Sequence, residues 1–126
     1  IGLRKLGANT LVLASNSTYT GSTIVDDGTL AVTGSLGATA VSVNNGGTLA
    51  GNGDFSGNVA IAAGAVLSLD VASTSSGQDT SAITGTLAMD ESTLNLTAAS
   101  TPAPGIYVLA TATVDITGFP HVINYN

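Results

Sequence analysis

Short alternations of apolar and polar residues recur along the chain, each preceded by a turn rich in Gly, Asn or Asp. In the clearest case, Asp26–Val32, Leu30 and Val32 alternate with Thr29 and Ala31. This alternation predicts a strand with one face in a core. Related segments recur at a nearly constant spacing, and each contains one leucine: Leu30, Leu49, Leu67 and Leu87. We expect these leucines to be buried and superposed on consecutive coils of a solenoid. Thr29, Thr48 and Thr86 are expected to point outward.

The same pattern predicts two short strands in each coil, with Gly, Asn or Asp at the corners. Val41 and Val43 form one inward pair, and Val59 and Ile61 form another. No segment has the apolar period of an amphipathic helix, so we expect essentially no helix. The polar run Ser73–Asp79 lacks any apolar period and predicts an outward loop.

Two all-β architectures fit these elements. Asp-Gly and Asn-Gly corners are strong hairpin signals, and strands that recur roughly every ten positions are typical of an antiparallel β-sandwich. The nearly constant spacing favours a parallel β-helix, because each coil must repeat the one below it. We expect the right-handed parallel β-helix (β-solenoid), with about 19 residues in each coil, and keep the antiparallel β-sandwich as the alternative.

The length of 126 residues suits one domain. We expect a single β-solenoid domain over 1–126, with regular repeats over 1–71. An outward loop is predicted over 72–82, followed by C-terminal coils and a tail over 83–126. The sequence begins at Ile1 without a signal segment, so we expect a processed product or a piece of a longer protein.

Charge and composition exclude several function classes. Two basic residues and a net charge of -6 argue against nucleic acid and anionic membrane surfaces, which bind through Lys and Arg clusters. The absence of cysteine excludes disulfides and thiolate metal sites. No apolar run is long enough for a membrane-spanning helix, so we expect no membrane insertion of this segment.

Few residues are candidates for catalysis. General acid-base chemistry needs carboxylates in a shared pocket, whereas the pairs Asp26–Asp27 and Asp90–Glu91 fall in predicted turns. Asp70 is expected to point outward, because Leu69 and Val71 should point inward. His121, the single histidine, follows Pro120 and has no nucleophile motif to serve. We therefore predict no catalytic residues and no enzymatic activity.

Candidate ligand sites are equally sparse. Asn52–Asp54 offers oxygen ligands for calcium, but the Gly-Asp motif of calcium-binding solenoids occurs once. Gly51–Gly53 is too short for a phosphate loop. Asn16–Thr18 and Asn95–Thr97 match the glycosylation pattern, which chance explains in a chain rich in Ser and Thr. Tyr19, Tyr107 and Tyr125 would stack on sugars only if exposed together. We predict no metal-binding residues, no cofactor-binding residues and no cofactor.

The stretch Gly2–Val32 resembles the autotransporter-associated β-strand repeat of secreted bacterial passenger regions. The matching residues are Gly2, Lys5, Gly7, Thr10, Leu11, Leu13, Tyr19, Thr20, Gly21, Thr23, Val25, Gly28, Thr29, Leu30 and Val32. The family usually has Gly where this chain has Asn9, and Asn where it has Ser17. The segments Gly105–Ala110 and Ile116–Phe119 resemble the ends of such passengers. The resemblance implies a right-handed parallel β-helix exported through the outer membrane to the bacterial surface or the extracellular space.

We accordingly expect a non-catalytic structural or adhesive β-solenoid. Its open ends predict self-association, either by end-to-end stacking into filaments or by strand addition of the C-terminal tail. A host or matrix glycan or protein is a further possible partner, with Ser73–Ser81 as the contact loop. The alternatives are a carbohydrate-binding module and a polysaccharide-processing β-helix.

Overall fold

The computed structural model describes residues 2–71, 81–89, 91–98, 110–112, 115–118 and 122–125. The regular elements in these ranges are all strands, and they form three sheets. The first sheet contains β1 (Leu3–Lys5), β3 (Thr23–Val25), β6 (Val41–Val43), β9 (Val59–Ile61), β12 (Thr86–Ala88) and β15 (Asp115–Thr117). The second contains β2 (Thr10–Leu13), β4 (Gly28–Val32), β7 (Gly47–Ala50), β10 (Val66–Val71), β13 (Thr93–Ala98) and β16 (Val122–Tyr125). The third contains β5 (Ser35–Leu36), β8 (Asp54–Phe55), β11 (Ser81–Ile83) and β14 (Ala110–Ala112).

Every strand pair is parallel, and each joins one coil to the next. The described residues therefore form a parallel β-helix of six coils, and the antiparallel sandwich is wrong. At about 4.8 Å per step, the first and sixth strands lie roughly 24 Å apart. In agreement with the sequence pattern, no helix occurs in these ranges, and so none that could span a membrane.

The third sheet corrects the prediction of two strands per coil. Ser35 and Leu36, which lie between two glycines, pair with Asp54 and Phe55 of the next coil. A two-residue strand is too short to show an alternation, which explains why the pattern did not reveal it. The third sheet still contributes to the core, because Leu36 and Phe55 are buried.

One column of aliphatic residues runs through the second sheet. Its members are Leu11, Leu30, Leu49, Leu67 and Leu94, in register from strand to strand, and the backbone of Ile123 pairs with Leu94 in the sixth strand. Leu30, Leu49 and Leu67 are buried and stacked as predicted. Leu87 is also buried, but its predicted position in this column is wrong. It lies in the first sheet, between Val59 and Ile116.

The coil length changes along the chain, and the predicted position of Leu87 is wrong because it assumed a nearly constant length. Leu11 pairs with Leu30 and Leu30 pairs with Leu49, so the first coils have equal lengths. Leu67 pairs with Leu94, which is a much longer step. The predicted loop over 72–82 falls in the first of these longer coils. Residues 72–80 lie outside the described ranges, whereas 81 and 82 belong to β11.

The corner between the first and second sheets contains one residue with positive φ in every coil. These residues are Gly7, Gly28, Gly46, Gly64, Glu91 and Gly118. Glycine adopts this conformation without a steric penalty, which explains its use at all of these corners except one. At the Asp26–Gly28 corner, Gly28 has φ of 70°. Glu91 has φ of 53° at the corresponding corner and is the exception among the described residues.

Candidate functional site

The most polar part of the described structure is the corner between the first two sheets in coils one to three. Arg4 Nε donates to Asp26 Oδ2 at 2.5 Å, and Asn44 Nδ2 donates to Asp26 Oδ1 at 2.6 Å. These side chains come from β1, from the turn after β3 and from the turn after β6, so one carboxylate links three coils. The hydrogen bonds from Asn44 and Arg4 hold the pKa of Asp26 below its ordinary value of 3.8.

Asp27, next to Asp26, has a local role in the same corner. Its Oδ1 accepts a hydrogen bond from the backbone N–H of Gly28 at 2.8 Å. The two carboxylates therefore have different partners, and no shared pocket brings them together for acid-base chemistry. In this arrangement the pair stabilises the corner that leads into β4.

Lys5 lies at the same corner but points into the β-helix. It pairs with Val25, which is fully buried and stacks on Val43 of the next coil. Lys5 itself is only 6 % exposed. Its ammonium group donates to the carbonyl oxygens of Leu6, Gly7 and Asp27. A charged side chain thus occupies an inward position that apolar residues fill in the following coils.

A second polar group inside the β-helix is a chain of hydroxyls in coils one and two. The Tyr19 and Thr23 hydroxyls are 2.7 Å apart, and the Thr23 and Thr39 hydroxyls are 3.0 Å apart. Thr39 also donates to the carbonyl of Gly21 at 2.5 Å. Thr23 and Thr39 are completely or almost completely buried. Because each hydroxyl has a partner, this network removes much of the cost of burying them.

The outer face of the first sheet carries an open groove of about 520 Å³. Ser42, Ala60 and Ala88 stack in register along its floor. Asn44 and Glu91 lie at the corner side. The floor is made of small side chains, so the groove offers shape but few chemical groups.

The comparison with protein-family models gives a match in the first two coils. Residues 3–32 match the family model of the passenger-associated-transport-repeat. This matched segment comprises β1 to β4 and coincides with the residues that resemble autotransporter-associated β-strand repeats, so that resemblance is confirmed.

A curated relative supports the same assignment. An extracellular serine protease of Serratia marcescens is 52% identical over 52 residues. The match covers 41% of this chain, and the chain spans about 5% of that protein's length. No solved structure matches. The repeat and this match together support an autotransporter passenger segment that is exported to the extracellular side or the cell surface.

Outside the repeat, the predicted catalytic candidates are dispersed. Asp70 is exposed on β10 beside the buried Leu69, as strand alternation predicted. Glu91 is exposed at its corner. Asp90 and His121 lie outside the described residues. Asp70 and Glu91 therefore belong to different elements.

The stretches considered as ligand sites have ordinary structural contacts. Asp54 Oδ1, in the Asn52–Asp54 stretch considered for calcium, accepts a hydrogen bond from the Ala82 N–H at 3.2 Å. No cluster of three His, Asp or Glu side chains suited to a metal ion occurs in the described ranges. Asn16 is exposed and Asn95 is half-buried on β13.

Of the three tyrosines considered for sugar stacking, the described part of the chain includes the side chain of Tyr19 alone. Tyr19 packs against the core and hydrogen-bonds to Thr23. Tyr107 and the side chain of Tyr125 lie outside the described residues.

Sequence reasoning missed the inward position of Lys5 and the hydroxyl chain. A signal for Lys5 was present, because Leu3 and Lys5 alternate with Arg4 on one strand and share a face. The alternation of Thr23 with Val25 placed a buried hydroxyl in the same way. The partners of these groups come from other coils, and no local pattern identifies them.

Proposed function

We propose that this chain is a non-catalytic β-helical segment of an exported passenger, which acts as a structural spacer that displays surface loops. The observation that carries the proposal is the continuous apolar interior. The column Leu11–Leu30–Leu49–Leu67 passes through consecutive coils with backbone pairing on three sheets. Such a stack supplies length and rigidity, because each coil is held by the coils above and below it.

The outer surface supports the same role. In the middle coils, small or polar residues alternate with the core column of the second sheet, namely Ala31, Ala50 and Ser68, whereas the first coil exposes Val12. The groove floor on the first sheet is equally poor in reactive groups. Acid-base catalysis needs converging titratable groups, whereas Asp26 is engaged by Arg4 and Asn44.

The Serratia relative is a serine protease, so proteolysis is the activity to test against. The 52 matched residues correspond to about 5% of that protein, which favours a supporting segment of the longer molecule over its reactive part. We therefore place no proteolytic activity in this chain.

The test combines shape with activity. Small-angle scattering on the purified chain should fit a stack of six coils. Incubation with a casein substrate and with uronate polymers should give no product above a buffer control. Turnover that scales with protein concentration would overturn the non-catalytic assignment, and a glycan array would show whether the surface binds carbohydrate.

We also propose that the chain self-associates end to end. Ile116 pairs with Leu87 in the first sheet but is 52 % exposed in the last coil. At the other end, Leu11 and Leu13 are only partly buried, whereas Leu30 and Val32 of the next coil are fully buried. Both end coils thus present apolar side chains and parallel strand edges that another copy can extend.

Light scattering over a hundredfold concentration range and negative-stain images would test this association. We expect the mean mass to rise with concentration and linear particles to appear. A Leu11→Lys variant, altered at the end face, should remain smaller, while Val12→Lys on the outer face should behave like the parent chain. A monomer at all concentrations would contradict self-association and leave the spacer role intact.

A further inference from the structure

Lys5 is a buried charged residue for which a spacer has no evident need. It lies at 6 % exposure in a column with Val25, Val43 and Ile61. An apolar side chain would fill that position in the same way as in the following coils. A lysine here needs compensation for the loss of water around its ammonium group.

The compensation comes from three backbone carbonyls. Lys5 Nζ is 3.0 Å from Leu6 O, 2.5 Å from Gly7 O and 3.2 Å from Asp27 O. A protonated lysine has three N–H donors and no acceptor, so three carbonyls satisfy it completely. Two of these carbonyls belong to the first coil and the third belongs to the second coil. The ammonium group therefore bridges the two coils across their corner.

Gly28 completes the cage. A Cβ at this position would lie 2.8 Å from Lys5 Nζ and 2.6 Å from Asn9 O. Gly28 also has a positive φ of 70°. Backbone carbonyls of Gly7 and Asn9 would meet this Cβ first, so the backbone itself requires glycine here, and the missing side chain leaves room for the ammonium group.

The bridge lies within the segment that matches the passenger repeat. Residues 3–32 contain β1 to β4, which belong to the first and second coils. Backbone bonds connect these coils from Leu3 N to Ser22 O and from Asp26 N to Lys5 O. We propose that Lys5 acts as an internal cation that locks the two coils of the repeat into one cooperative unit, which opens and closes as a whole.

Amine labelling gives a direct readout, because Lys5 is the sole lysine of the sequence. Acetylation of the intact chain, followed by mass spectrometry, would report the reactivity of its Nζ separately from the terminal amine. We expect native Lys5 to react at least about a hundredfold more slowly than in urea-unfolded protein. With increasing urea below the midpoint, its reactivity should follow the exchange of the Leu3, Asp26 and Thr29 amides, since one opening event exposes all of them.

A charge-removing variant tests the lock itself. Lys5→Met keeps most of the side-chain volume and should accelerate exchange of the Leu3, Asp26 and Thr29 amides at least about tenfold, the scale of one lost charge-assisted hydrogen bond. The amide of Ala62, which donates to Val43 O between the fourth and third coils, should change less than about threefold. Arg4→Met, which removes the exposed ion pair, is the matched control and should have a small effect.

Two results would overturn the proposal. The first is acetylation of native Lys5 as fast as in the unfolded protein, or an opening free energy from acetylation that is lower than the one from exchange of the Asp26 and Thr29 amides. The other is unchanged amide exchange in Lys5→Met. If Lys5→Met does not fold, the comparison between labelling and amide exchange in the unaltered chain still decides the matter.

Discussion

The first coils and the later coils form the same stacked parallel sheets, but the later coils contain more residues. In the first coils the register advances by equal steps, from Leu11 to Leu30 and from Leu30 to Leu49. In the later coils it advances from Leu67 to Leu94 and from Leu94 to Ile123, and these steps are much longer. Strand pairing continues through both regions. The coil is therefore defined by its stacked strands, and the chain between strands can lengthen without breaking the stack.

The two regions also differ in how neighbouring coils are joined. In the first coils, corner carbonyls accept from backbone donors and from Lys5, and the Asp26 carboxylate accepts from the side chains of Arg4 and Asn44 in neighbouring coils. Where the coil lengthens, side-chain oxygens receive backbone N–H groups: Asp54 Oδ1 from Ala82 and Asn58 Oδ1 from Thr86. Side-chain acceptors bridge positions that the regular ladder does not reach, which shows how a longer coil remains paired.

The largest expected effect compares core positions in the two regions. Leu49 is buried between Leu30 and Leu67, so Leu49→Ala should destabilise the chain by about 2–5 kcal/mol. Leu94 is only partly buried in the same column, and Leu94→Ala should cost less than about half as much. Urea unfolding of both variants would measure this difference. A loss below about 1 kcal/mol for Leu49→Ala would contradict the register.

The next effect concerns the corner between the first and second sheets, where the later coils contain a non-glycine residue with positive φ. Glu91 has φ of 53° where the preceding coil has Gly64 at 78°. Glu91→Gly should stabilise the chain by about 0.5–1 kcal/mol, because relief of the left-handed backbone outweighs the added freedom of the unfolded chain. Gly64→Ala should have the opposite sign, since its Cβ would also lie 2.6 Å from the Asn45 side-chain oxygen. Thermal unfolding of both variants would test this, and a loss of stability in Glu91→Gly would contradict it.

The smallest effect is the pH response of the charged corner in the first coils. Asn44 and Arg4 lower the pKa of Asp26 in the folded state from 3.8. Its stabilising contribution is therefore present above that value and is lost as pH falls through the lower folded pKa. The stability difference between the parent chain and Asp26→Asn should be constant from pH 7 to about 5 and shrink below pH 3.8. A difference that does not change with acid would exclude Asp26 as the titrating group.

The sequence was informative about strands and less informative about which strands meet. Alternation correctly gave the inward positions of Leu30, Val41 and Ile61, because burial on one face imposes a period of two. The placement of Leu87 failed because the Gly-Thr-Leu pattern recurs in a different sheet. Local similarity records a turn followed by a strand, whereas register depends on the length of chain between strands.

The candidate site was predictable in part for a similar reason. The corner at Asp26–Gly28 was recognisable from its turn residues. Its partners Arg4 and Asn44 are distant in sequence and become neighbours only through coil stacking. The burial of Lys5 was not predicted, because a charged residue on a strand is expected to point outward unless its partners are known.

The register at the lengthened coil is the central claim, and engineered cysteine pairs test it most directly in a chain without native cysteine. Ser68 pairs with Asn95 across adjacent strands, whereas the predicted stacking of Leu87 on Leu67 would place Ser68 next to Ala88. We predict that Ser68→Cys with Asn95→Cys forms an intramolecular disulfide on mild oxidation of the folded protein. Ala50→Cys with Ser68→Cys, neighbours in the regular coils, serves as the positive control. A disulfide in the Ser68→Cys/Ala88→Cys variant, with none in Ser68→Cys/Asn95→Cys, would contradict the coil arrangement.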